Sequence, residues 1–180
     1  RPNHPGIYAV GSGLPRHIPT VRTYAFTHGL YPLFLEKGRP IYEHVCDGYW
    51  QDFRHLYPYR QANFDALDDK VRLNVPGLKI CGDVWIGEGV EIDDVEGVEG
   101  PAFIGNYSTV SPESSVGPYT VLGPATTLRE RARVSRSVID ASCYIGRSAV
   151  IEGPILGRNC DVRPHARWHG GVPIGAQGTL

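Results

Sequence analysis

The stretch VGPYTVLGPATT, Val116 to Thr127, puts an aliphatic residue at Val116 and Leu122, and Leu128 follows at the same interval. Gly117 and Gly123 come directly after the first two. A period of six fits neither an α-helix at 3.6 nor a strand at 2. The beat extends in both directions. Ile80, Ile86, Ile92, Val98, Ile104, Val110, Val116, Leu122, Leu128 and Val134 fall at unbroken intervals. A step of five reaches Ile139, with Ile145 and Ile151 behind it. A second step of five reaches Leu156, and Val162, Trp168, Ile174 and Leu180 complete a series of 18 positions over 101 residues. A series broken only by two single-residue slips marks a repeat architecture.

Four places after each of these residues the chain is usually small or aliphatic, as at Ala102, Ser108, Ser114, Thr120, Thr126, Ala132, Cys143 and Cys160. Two inward positions in six describe a short strand and a tight turn. Three such units make a triangular coil, and stacked coils make a parallel β-helix. Eighteen units predict about six coils, a prism roughly 30 Å long at the usual strand spacing. The glycines after the aliphatics suit turns that need positive φ or close backbone approach. Both five-residue steps predict tightened corners, near Ser135–Val138 and Glu152–Ile155. Glu96 breaks the small-residue rule, so the acidic, Gly-rich segment 93–100 predicts a local distortion.

Before Lys79 the beat is absent. GIYAV (Gly6–Val10) and PIYEHVC (Pro40–Cys46) alternate like strands. THGLYPLFLEKG reads as a helix with Thr27 as N-cap, Leu30, Leu33 and Phe34 on one face and Gly38 past the end. YRQANFDALDDKV, from Tyr59, reads as a second helix that packs Ala62, Phe64 and Leu67 inward and leads into the prism. The organisation expected is an α/β remnant over residues 1–79 and a hexapeptide β-helix over residues 80–180.

Bulk numbers narrow the function classes. With 18 basic and 19 acidic residues the net charge is −1, which gives no steering toward nucleic acid or an anionic membrane. No run of 18 apolar residues exists, so no membrane span is expected, and no signal peptide is visible. Cys46, Cys81, Cys143 and Cys160 match no zinc spacing, and a reduced cytoplasmic protein with buried thiols is the expectation. The chain has no Met and opens on Arg1-Pro2. A fragment or processed form is therefore expected, with the prism's last coil continued or covered by a neighbouring subunit.

The segments GIY (6–8), AFTHGLYPLFLEKGRPIYEHVCDGYWQDF (25–53) and YRQANFDALDDKV (59–71), followed by hexapeptide repeats, resemble the C-terminal half of a nucleoside-diphosphate-sugar pyrophosphorylase. The nearest type is mannose-1-phosphate guanylyltransferase. That family runs N-x-G-I-Y, a helix ending L-F-P-L-L-L-E-K-G, then G-Y-W-x-D, then a helix with Y-x-x-A-x-x-D-x-L-x-G-K-V. A left-handed β-helix follows, and the resemblance supplies that hand. It implies attack of a sugar-1-phosphate oxygen on the α-phosphorus of a nucleoside triphosphate, with Mg²⁺ and basic groups neutralising charge. It also implies a homo-oligomer through the β-helix. The family's Gly-rich phosphate loop is absent here, since VGSGL (Val10–Leu14) is short and lacks a following Lys. No catalytic residue is therefore expected within this chain, and the chain alone is expected to be inactive.

The resemblance implies a metal ligand at Asp52, a hard carboxylate suited to a divalent cation. The alternative for Asp52 is a cap on a loop or on the following helix. Substrate contacts are implied at His4, Gly6 and Arg54. His4 replaces the family's Asn, and Arg54 replaces its Gly beside the phosphate site, where it would either block the site or supply a new cation. The family's acidic residues in the first helix segment are Ala25 and Gly29 here. These departures open a second reading, a catalytically degenerate paralogue kept for regulation or assembly. A third comes from hexapeptide acyltransferases, which use a His general base between subunits. RPHARWHGG offers His165 and His169 for that role. Trp50, Tyr49, Tyr57 and Tyr59 would either stack on a ligand or pack helix against prism.

Overall fold

The computed structural model describes residues 6–19 and 25–171. They divide into two compact units, one up to Trp50 and one from Gln51 onward.

The first unit holds a helical segment that begins as a π-turn, Phe26–Leu30, and continues as helix α1, Tyr31–Glu36. Leu30 is its buried anchor at 2% exposure. Gly38 follows with φ +59, the left-handed stop that the sequence suggests. Thr27 lies inside the π-turn, however, and Ala25 occupies the N-cap position. The two strands expected at Gly6–Val10 and Pro40–Cys46 do not form; both segments are irregular. Their side chains alternate in polarity, but no described partner strand pairs with them, and alternation without a partner leaves a strand's backbone groups unpaired.

The second unit is a mainly β structure, a parallel β-solenoid of about five turns. Its first face stacks Val84–Ile86, Ala102–Ile104, Thr120–Leu122, Val138–Ile139 and Ile155–Leu156. The second stacks Glu91–Ile92, Thr109–Val110, Thr127–Leu128, Tyr144–Ile145 and Asp161–Val162. The third stacks Ser115–Val116, Arg133–Ser135, Val150–Glu152 and Arg167–His169, with Val98 bridging to Val116. The estimate of about six coils is too high at the start. Ile80 belongs to a strand, Leu78–Ile80, that runs antiparallel to Val84–Ile86 and closes the sheet. At the other end Ile174 and Leu180 lie outside the described residues.

The hexad aliphatics form the axis of this unit. Ile104, Leu122, Leu128, Ile145, Leu156 and Val162 are each fully buried, and burying one such side chain is worth about 1.5–3 kcal/mol. The small ladder stands beside them, and its hydroxyls are satisfied. Ser108 Oγ donates to the Gly123 carbonyl at 3.2 Å and accepts from the Thr126 amide at 3.2 Å. Thr126 Oγ1 donates to the Asp140 carbonyl at 3.3 Å. No buried side-chain polar atom among the described residues lacks a partner.

The corners differ from the sequence expectation in one respect. Positive φ falls not on the glycines directly after the aliphatics but two residues later, on Tyr107, Glu113, Ala125, Arg131, Ser142, Ser148 and Asn159, with φ between 55 and 62. The glycines serve close approach instead. A Cβ on Gly105 would stand 2.6 Å from the Pro124 nitrogen, and one on Gly123 2.6 Å from the Ala141 nitrogen. The five-residue corners are tightened as expected, and Arg136 (φ 51) and Gly153 (φ 92) turn them. Ser137 Oγ there donates to the Ser135 carbonyl at 2.7 Å and accepts from the Gly153 amide at 3.0 Å. The expected distortion is also present. Val95–Gly97 forms a 3₁₀ turn, and Asp94 accepts from the Glu96 amide at 3.0 Å.

Candidate functional site

Helix α2, Leu56–Leu67, begins three residues earlier than the sequence suggests. It buries Phe64 and Leu67 as expected and leaves Ala62 half-buried. Its C-terminal end is fastened to the prism. The Phe64 ring lies 5.3 Å from that of Tyr119, and Tyr119 Oη donates to Asp68 at 3.0 Å. Arg60 donates to the Gly153 carbonyl on a neighbouring coil. Lys70 pairs with Asp68 at 2.9 Å and with Asp65 at 3.3 Å. The Lys70 ammonium is the largest cause holding the Asp68 carboxyl below its ordinary range.

The first face has an unusual outer surface. The residues between its inward positions are Trp85, Phe103, Val121, Val138 and Ile155, all half-buried or buried. The matching outward residues of the second face are Glu91, Thr109, Thr127, Tyr144 and Asp161. Sequence reasoning overlooked this apolar row. The signal was present: the residue before every third aliphatic is apolar.

Asp52 sits just before α2, in a turn it helps to make. Its Oδ1 accepts the Arg54 amide at 3.0 Å and its Oδ2 accepts Arg54 Nε at 2.5 Å. This bond to the Arg54 side chain is the largest cause lowering the Asp52 carboxyl from its ordinary value. The Arg54 side chain is 83% exposed, that of Asp52 29%. The structure therefore brings Asp52 and Arg54 together, with both carboxylate oxygens engaged. No group of three His, Cys, Asp or Glu side chains gathers to hold a metal ion among the described residues. One carboxylate already neutralised by a guanidinium does not fit a Mg²⁺ site on its own. Gly6 is in the first unit, exposed, at φ +76 with no heavy atom within 4 Å of an added Cβ. His4 lies outside the described residues.

The aromatic residues singled out in the sequence are exposed, with Tyr57 at 66% and Trp50 at 40%. Arg60 lies over the Tyr57 ring at 5.6 Å, and Phe53 meets Tyr59 edge-on at 6.0 Å. His165 and His169 are not gathered into one site. His165 turns the edge between second and third faces, whereas His169 ends a third-face strand and meets Glu152 at 3.1 Å. Trp168 between them packs against the core, its indole N–H bonded to the Gly170 carbonyl at 3.1 Å. Among the described cysteines Cys46 is exposed, contrary to the expectation of buried thiols, while Cys143 and Cys160 are buried. Burial pushes the Cys143 thiol up to about 11. No helix among the described residues is long and apolar enough to cross a membrane.

Comparison with known proteins agrees with the resemblance drawn from the sequence. Residues 98–179 match the family model described as GMPPB C-terminal domain. The chain is 29% identical over 146 residues to a glucose-1-phosphate thymidylyltransferase of Streptomyces antibioticus, covering 76% of this chain and 38% of the relative. It is 26% identical over 165 residues to a UTP–glucose-1-phosphate uridylyltransferase of Synechocystis sp., covering 90% and 38%. A glucose-1-phosphate adenylyltransferase of Bacillus mycoides is 28% identical over 141 residues, covering 73% and 35%. The chain thus spans little more than a third of the length of these relatives. With the β-solenoid, these matches support a C-terminal pyrophosphorylase part carrying a β-helix.

Proposed function

We propose that this chain serves as the C-terminal part of a sugar-1-phosphate nucleotidyltransferase that forms GDP-mannose from GTP and mannose-1-phosphate. The observation that carries the reading is the β-helix itself, whose coils from Val98 onward match the GMPPB C-terminal domain. Three relatives of similar identity transfer, by their names, three different nucleotides. The guanylyl assignment rests on the resemblance drawn from the sequence, and these relatives do not favour one nucleotide.

In the reaction a sugar-phosphate oxygen attacks the α-phosphorus and pyrophosphate leaves. Holding two anions together in that step needs cations. A divalent cation such as Mg²⁺, held by residues other than Asp52 alone, would supply this charge in the complete enzyme. Gly-rich phosphate binding has no residues here, so the chain works as part of a larger cytoplasmic enzyme, assembled as a homo-oligomer through the β-helix.

One observation favours a second reading. Arg54 occupies both oxygens of Asp52, the carboxylate that the resemblance assigns to the metal. This suits a degenerate paralogue kept for regulation or assembly. Pyrophosphate release by the full-length protein with GTP, UTP, dTTP and ATP separates the two. Turnover with GTP and mannose-1-phosphate that survives Arg54→Gly supports the enzyme. Silence with all four nucleotides, relieved by Arg54→Gly, supports the paralogue.

A further inference from the structure

From Ile80 onward the chain carries eight Arg and no Lys, and all eight fall between Arg129 and Arg167. Where a carboxylate can be reached, the guanidinium takes it: Arg131 pairs with Glu113 at 2.8 Å and Arg129 with Glu130 at 3.1 Å. Two arginines on the edge between the second and third faces differ. Arg147 in the fourth coil and Arg163 in the fifth are exposed and make no ion pair among the described residues. The carboxylates nearest to them in the stack do not neutralise them. Glu130 lies one coil from Arg147, since the Ser148 amide donates to the Glu130 carbonyl at 2.9 Å, but its side chain holds Arg129. Asp161, two residues before Arg163, makes no ion pair with it. No Asp or Glu falls outside the described residues, so this chain holds no further side-chain carboxylate for either arginine.

The register gathers these two arginines with a third group. Ile145 pairs with Val162 and Val150 with Arg167. Gly146 therefore lies beside Arg163, and Ser148 beside His165. Arg147 stands one residue and one coil from each of Arg163 and His165, a diagonal of about 6 Å between Cα atoms from the ordinary strand spacing and rise. The stack fixes this triangle: the His165 amide donates to the Arg147 carbonyl at 2.8 Å and the Ala166 amide to the Arg163 carbonyl at 3.2 Å. His165 is exposed, at φ 64. Two unneutralised guanidinium groups this close on neighbouring strands repel each other, and an anion between them relieves that repulsion.

We propose that Arg147, Arg163 and His165 bind the phosphate of a small, free phosphate monoester. A phosphate monoester carries close to two negative charges at pH 7, matching the two guanidinium groups. The planar guanidinium fork meets phosphate oxygens two at a time, which the point charge of Lys does not, and His165 adds a ring N–H. The surroundings select a small ligand. A nucleic-acid strand or a membrane surface would extend along the prism onto its first two coils, where Glu91, Asp93, Asp94, Glu96 and Glu113 are exposed and repel it. A monoester stays within the fourth and fifth coils. The site owes nothing to Asp52 or to turnover, so it stands whether or not the proposed reaction occurs.

The test is calorimetric titration of the full-length protein with glycerol 3-phosphate in 0.15 M NaCl, beside variants of exposed side chains only. Arg147→Gln/Arg163→Gln should weaken binding at this site on the order of tenfold or more. Arg147→Lys/Arg163→Lys, which keeps the charge and loses the fork, should weaken it several-fold, and His165→Ala roughly threefold. Arg158→Gln removes an exposed charge from another edge of the fifth coil and should change nothing. A phosphate-binding centre elsewhere in the protein gives a second binding event that all four variants leave alone, so the difference from wild type reports this site. Should the double Gln variant fail to fold, the Lys and His165 variants still decide. Binding equal in all variants, an equal loss in Arg158→Gln, or binding that vanishes at 0.15 M NaCl overturns the proposal. Phosphatidate vesicles or oligothymidylate captured through Arg147 and Arg163, with glycerol 3-phosphate left unbound, overturns it in favour of a membrane or a nucleic acid.

Discussion

Tyr119 and Asp68 join the helix to the prism: the phenolic hydroxyl of a corner residue donates to a carboxylate just past the end of α2, at 3.0 Å. Tyr119 sits at the edge between the third and first faces, where its ring also meets Phe64. Removing the hydroxyl in Tyr119→Phe keeps the ring contact and deletes the bond. Amide exchange in α2 should quicken several-fold, while amides of the inner strands, such as Leu122 and Ile145, keep their protection. Equal quickening in both regions would show that helix and prism unfold together and that this bond is not their fastening.

The same carboxylate gives a pH dependence of known sign. Lys70 first, then Tyr119, lowers the Asp68 carboxyl from its ordinary value. A lowered folded-state value means the stabilisation is present above the unfolded value, about 3.9. It is lost as pH falls through the folded value below that. The docking of α2 should therefore be indifferent to pH between 5 and 8 on the order expected for carboxylates, and should loosen only in strong acid. Asp68→Asn should remove the acid step from helix exchange. A loosening near neutral pH would contradict the assignment.

The core should respond by position. Leu122→Ala or Ile145→Ala removes a fully buried side chain and should cost about 2–5 kcal/mol in chemical denaturation. Gly123→Ala adds only a methyl, but at 2.6 Å from the Ala141 nitrogen. Backbone cannot give way there as a flexible side chain could, so a loss of about 1–3 kcal/mol is expected. A neutral Gly123→Ala would mean that the coils are not stacked as closely as described.

Thiol chemistry offers a probe of the same core. Cys143 is buried, donates to the Gly157 carbonyl at 3.2 Å, and burial pushes its thiol up to about 11. The thiolate is the reactive form. Under native conditions near pH 8 Cys46 should label rapidly and Cys143 only after unfolding, read peptide by peptide in mass spectrometry. Rapid labelling of Cys143 would place it at the surface.

The β-solenoid could be read from the hexads because each one reports an inward side chain independently, and the errors do not accumulate. Its two slips, at Val134–Ile139 and Ile151–Leu156, even located the tightened corner. Three things were harder to see. The terminal coil count failed at Ile80, because an antiparallel closing strand can carry the same aliphatic as a parallel coil. Positive φ at Tyr107 or Arg131 left no mark on residue type, since the repeated stacking imposes that conformation on any side chain. The region before Gln51 misled most. Alternation in Gly6–Val10 and Pro40–Cys46 resembles strands, but a strand needs a partner, and local pattern does not contain one. As for the site, the positions of Asp52 and Arg54 two residues apart were plain, but their mutual engagement depends on side-chain geometry, which spacing does not give.

The most direct measurement is ³¹P NMR of the full-length protein with GTP, mannose-1-phosphate and Mg²⁺. The account predicts that pyrophosphate and a diphosphate-linked sugar appear together, in equal amounts, as the sugar phosphate is consumed. Hydrolysis of GTP without a diphosphate-linked sugar, or no change with GTP, UTP, dTTP or ATP, would contradict the nucleotidyltransferase reading.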